Sequence, residues 1–194
     1  SMKHSLVFCA GLLACVVSTA QLAPTGGDVW SNVPSASDDR FTNPKSKLYA
    51  GPNGWHNFGE VRAEVANAAK TRYTFKSGLE YMTTPASFVF ATSSQLQVAE
   101  VDFGTQRPAP GVYTVGPKAN ASQKKAAVSF MDSAHNKLLG WQSAEQSGTV
   151  TVTQVNKYLY FSARNLRLVP QGMHNQGDFK QPMALGFEGA VVAD

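Results

Sequence analysis

The sequence predicts an all-β chain: an antiparallel β-sandwich of about eight or nine strands, with a closed antiparallel β-barrel as the alternative. Three observations point there. Gly148 to Pro170 reads as two long strands folded back on each other at Asn156-Lys157. From Thr71 onward, short alternating apolar segments are separated by Gly, Pro, Asn, Asp and Ser clusters. Hydrophobic residues make up 43% of the chain and charged residues 15%, which argues against disorder and for one buried core in 194 residues.

Taken in order, the chain begins with Ser1 before Met2, which reads as a scar of tag removal. Lys3 and His4 then precede an uncharged apolar run from Leu6 to Val17, and Ser18-Thr19-Ala20 supplies small residues before Gln21. This is the pattern of a secretory signal peptide over residues 1–20, too short to cross a bilayer as a helix. Two alternatives are acylation at Cys15, after Leu12-Leu13-Ala14, and retention of the segment as a packed strand. Residues 21–58 are dominated by turn formers such as Pro24, Gly26-Gly27, Pro34, Pro44 and Asn53-Gly54. Trp30, Phe41, Tyr49, Trp55 and Phe58 are spaced along it as apolar anchors, so it reads as an irregular arm preceding one domain at 59–194.

Within that domain Glu60 to Lys70 is read as one short helix, because Val61, Val65 and Ala68-Ala69 fall on one helical face. Val61, Ala63 and Val65 also alternate as a strand would. Strands are expected at 72–76, 87–91, 96–103, 112–115, 126–131, 137–143, 149–155, 158–169 and 185–193. In the 158–169 strand, Leu159, Phe161 and Ala163 share one parity and Leu166 and Leu168 the other. One core can hold both sets only if the strand bulges, bends or changes sheets near Arg164-Asn165. That slip, with the Pro-rich loop from Gly104 to Gly111, favours the sandwich over the barrel.

Both cysteines, Cys9 and Cys15, lie in the leader, so the mature chain has no disulfide, zinc-thiolate site or cysteine nucleophile. A disulfide-free exported domain fits a bacterial envelope. The formal charge of +4 is small and the basic residues are scattered, which excludes a stripe that could track nucleic acid.

No motif carries a coherent chemistry. Ser122 and Lys125 have the spacing of serine acyl enzymes but lie in a Lys- and Ser-rich loop. The histidines show no zinc-ligand spacing, and no metal or cofactor is expected. His174 with Asp178, in the polar loop from Gln171 to Pro182, is the closest approach to a general-base pair. Glu100 and Asp102 alternate on one strand face about 7 Å apart, a separation relevant to glycoside hydrolysis, and equally suit a solvated face. Aromatic residues are the main candidates for ligand binding, with Trp55, Trp141, Tyr158 and Tyr160 able to stack on sugar rings if exposed.

The expected function is therefore a secreted, non-catalytic binding protein of the envelope or extracellular space, for carbohydrate or a cell-surface protein. Ligand-binding candidates are Tyr158, Tyr160, Trp141, Trp55, His174 and Asp178. Alternatives are a structural subunit that forms a homo-oligomer through the 21–58 arm, and a barrel carrying a small apolar ligand. No transmembrane span and no nucleic-acid partner are expected.

Overall fold

The computed structural model describes residues 59–76, 79–83, 86–92, 94–134, 137–155 and 158–192. The leader, both cysteines and the arm with Trp30 and Trp55 lie outside the described residues, as do His135 and Asn156-Lys157. Among the described residues eleven strands are present, and they bear out the all-β expectation. They are β1 (Gly59–Val65), β2 (Arg72–Lys76), β3 (Leu79–Thr83), β4 (Ser87–Ala91), β5 (Gln97–Asp102) and β6 (Gly111–Val115). After a 3-10 turn at Ala121–Gln123 come β7 (Lys125–Asp132), β8 (Leu139–Ser143), β9 (Gly148–Val155) and β10 (Tyr158–Pro170). A second 3-10 turn at Gly177–Lys180 precedes β11 (Met183–Val192).

The first element corrects the helix expected at 60–70. Val61, Ala63 and Val65 are buried and lie opposite Phe187, Leu185 and Met183 of β11. The helical and strand patterns share Val61 and Val65, so pairing with β11 decides between them. The chain then turns. The buried Asn67 accepts the Thr71 N–H through Oδ1 (3.0 Å) and donates from Nδ2 to Thr71 Oγ1 (2.9 Å). Ala68 and Ala69 are exposed in this turn instead of forming a helix face.

The parity slip in β10 is resolved by a bulge. Its register against β11 shifts between Ala163 and Leu166, and Asn165 takes a left-handed conformation (φ 49°). Leu159, Phe161, Ala163, Leu166 and Leu168 are consequently all buried in one core. The bulge also lets the two halves of β10 meet different neighbours. Residues 158–163 pair with β9 and residues 168–170 with β8.

That exchange closes a ring of five strands, in the order β6, β7, β8, β10, β9 and back to β6. The barrel alternative thus describes the centre of the molecule. Strands β5, β4 and β3 extend the sheet from β7, and β11, β1 and β2 extend it from β10. The two extensions pack against each other across the core, as the leaves of a sandwich do. Phe88 stacks on Phe161 with ring centroids 4.0 Å apart, Phe90 meets Phe187 at 5.1 Å, and Tyr73 meets Phe130 at 5.1 Å. Phe103 contacts both Tyr113 and Phe161, which joins this core to the interior of the ring. Each buried ring of this kind stabilises the fold by roughly 1.5–3 kcal/mol of transfer free energy.

Candidate binding face

Alternation along β5 and β7 sends Ala99 and Val101, and Val128 and Phe130, into the core. The intervening residues therefore stand on the outer face. Register brings Val89, Glu100, Ser129, Gln142 and Val169 into one cross-strand row over β4, β5, β7, β8 and β10. Asp102 and Ala127 form the next pair along. Glu100, Asp102, Ala127, Ser129 and Gln142, with Pro117 and Gln171, line an open groove of about 260 Å³. Strands lie about 4.8 Å apart, so the backbones of Glu100 and Gln142 are separated by about two such spacings.

Gln171 reaches the groove because β8 carries glycine beneath it. A Cβ on Gly140 would fall 2.7 Å from Gln171 Oε1, so any larger residue would push the amide aside. The surrounding loop is held by buried and part-buried hydrogen bonds. Gly140 N–H donates to Asn175 Oδ1 (2.8 Å), Gln171 N–H to Gly140 O (2.8 Å), and Asn175 Nδ2 to Phe179 O (2.9 Å). Trp141 Nε1–H donates to Gln181 O (3.0 Å), and Phe179 packs edge-on against the indole.

The two carboxylates differ in what they already hold. Asp102 Oδ1 accepts the Gly104 N–H (2.7 Å) and so fixes the turn after β5. Glu100 accepts no hydrogen bond among the described residues, and neither carboxylate is in an ion pair there. The groove therefore offers one uncommitted carboxylate, half of another, two amides and a hydroxyl. This inventory can accept hydrogen bonds from hydroxyl or ammonium groups and donate a few in return.

The residues singled out from sequence are scattered. Trp141 is wholly buried against Phe130 and Phe179, with no ring face toward solvent. Tyr160 is buried in the first half of β10, where its hydroxyl donates to Glu188. Only the backbone pairing of Tyr158 is described, and Trp55 lies outside the described residues. His174 and Asp178 are exposed in the 171–182 loop and do not line the groove. Ser122 and Lys125 are exposed as well, and Ser122 Oγ is bonded to Asn120 Oδ1 (2.7 Å).

The sequence showed Glu100 and Asp102 as a pair, but not Ser129, Gln142 and Gln171, which arrive from other strands. Among the described residues no helix is long and apolar enough to cross a membrane. Within the same residues no three His, Asp or Glu side chains group as metal ligands would. Comparison of the chain with protein-family models, curated proteins and solved structures finds no match.

Proposed function

We propose that this chain is a non-catalytic binding protein of the cell envelope or extracellular space, with the outer face of β5, β7 and β8 as its binding surface. The observation that carries this reading is the polar row Glu100, Ser129 and Gln142, completed by Gln171 above Gly140, along an open groove. Glu100, Ser129 and Gln142 stand on paired strands, so their backbones are positioned before a ligand arrives. Location outside the cytoplasm is supported by the leader-like residues 1–20 and by the lack of cysteine after Cys15. Binding is favoured over hydrolysis because Asp102 is engaged in a turn and the His174–Asp178 loop pair is not in the groove.

The test compares the protein with Glu100→Gln/Gln142→Ala on a panel of immobilised polysaccharides and envelope surface proteins. Retention of one panel member by the parent, lost by about tenfold or more in the variant at unchanged thermal stability, is the expected result. Retention indifferent to both substitutions would remove this face from consideration.

Assembly through strand edges is a second reading, favoured by one observation. Strands β2 and β3 end the hydrogen-bonded order, so among the described residues each has one edge without a strand partner. A concentration-dependent mass in solution that Thr74→Pro on β2 abolishes would support it. The carrier reading has less support, because Tyr113, Phe130, Trp141, Phe161 and Leu168 of the ring strands are buried in one packed core.

A further inference from the structure

Resting on the binding face proposed above, we infer that its occupant is an extended polypeptide segment. That segment brings a lysine or arginine to Glu100 and apolar side chains to Met131 and Leu138. Two features of the face select this chemistry over a neutral sugar. The first is charge: a chain with a formal surplus of four positive charges carries two carboxylates here with no ion-pair partner among the described residues. A basic group is the complement of such a site.

The second is the apolar surface beside it. Met131 follows Ser129 on the same face of β7, Val98 and Gly140 lie opposite Met131, and Leu138 is exposed just before β8 begins at Leu139. Met131 and Leu138 are 42% and 44% exposed, Leu96 at the entry to β5 is 42% exposed, and Met173 in the adjoining loop is 91% exposed. Among the described large hydrophobics only Val112, on β6, is exposed elsewhere. Apolar groups gathered at one place mark contact surfaces, and methionine adapts to varied partners. Among the described residues no aromatic ring lines the groove, so they supply no stacking platform of the kind common in sugar recognition.

Spacing agrees with an extended peptide. Residues i and i+2 of a strand project to the same side about 7 Å apart, which matches the step from the Glu100–Ser129 row to the Val98–Met131 row. Docking is through side chains, since β7 and β8 are each already flanked by strands on both sides.

The experiment selects from a random peptide library on the immobilised full chain and measures the selected peptides by fluorescence anisotropy. The same immobilised chain is exposed to a neutral polysaccharide panel. Peptides pairing Lys or Arg with an apolar residue two positions away are expected. Their affinity should fall about tenfold in Glu100→Gln and in Met131→Ser/Leu138→Ser, fall with added salt, and be unaltered in Val112→Ser. Glu100→Lys should transfer preference to peptides carrying Glu in place of Lys, a gain that misfolding cannot produce. Polysaccharide retention that depends on Gln142, without peptide binding, would overturn this inference and leave the binding face standing. Failure of both classes to bind would overturn both.

Discussion

Glu60 and Glu188 stand directly opposite each other across β1 and β11, a like-charge juxtaposition that costs stability unless each is engaged. Arg62 pairs with Glu60 (2.7 Å), and the Tyr160 hydroxyl donates to the buried Glu188. Tyr160→Phe keeps the ring and removes one donor from a buried carboxylate. A loss of about 1.5–3 kcal/mol in urea unfolding is expected, and an unchanged midpoint would show that the hydroxyl contributes nothing. Across the core, burial raises the pKa of Tyr73 above the usual tyrosine range, and the nearby charge of Asp132 and the hydrogen bond to it add to the effect. A raised folded-state pKa means this contribution is complete below about pH 10 and is lost as pH climbs toward the folded value. Stability above pH 10 should therefore decline less steeply in Tyr73→Phe than in the parent. Parallel curves would contradict the assignment.

At the scale of elements, the β9–β10 hairpin and its bulge were visible in the sequence because period-two alternation and its interruption are local facts. Asn165 carries the bulge at φ 49°, a conformation Asn adopts readily and β-branched residues resist. Asn165→Val should cost about 1–2 kcal/mol, and Asn165→Gly, which keeps the backbone permitted, should cost less. Equal losses would mean that the side chain, not the backbone angle, matters. By contrast β1 reads as a helix in the sequence, and no strand is expected there at β3. Seven residues that suit both periods are decided by a partner more than a hundred positions away. The binding face was half visible for the same reason. Glu100 and Asp102 share a strand, whereas Ser129, Gln142 and Gln171 join them only through register. Trp141 and Tyr160 show the opposite limit: an aromatic residue in a strand looks alike from sequence whether it faces core or water.

For the whole molecule, closure of the ring depends on the seam where β7 leaves the parallel β6 and meets β8. The buried Ser143 sits at that fork, accepting the Val128 N–H (2.9 Å) and donating to Gly116 O (2.6 Å). Ser143→Ala would leave the buried Val128 N–H and the part-buried Gly116 carbonyl without this partner and is expected to cost about 2 kcal/mol in chemical denaturation. A loss under about 1 kcal/mol would show that the ring does not rely on this hydroxyl.

The antiparallel pairing of β1 with β11 has a kinetic side. Gly59 meets Gly189, so the earliest described strand finds its β11 partner only at the end of the described chain. During synthesis Val61, Ala63 and Val65 must wait, greasy and unaccompanied, until residues past Met183 have emerged. Such distant closure predicts a chain that ripens slowly and is prone to tangling with its siblings on the way.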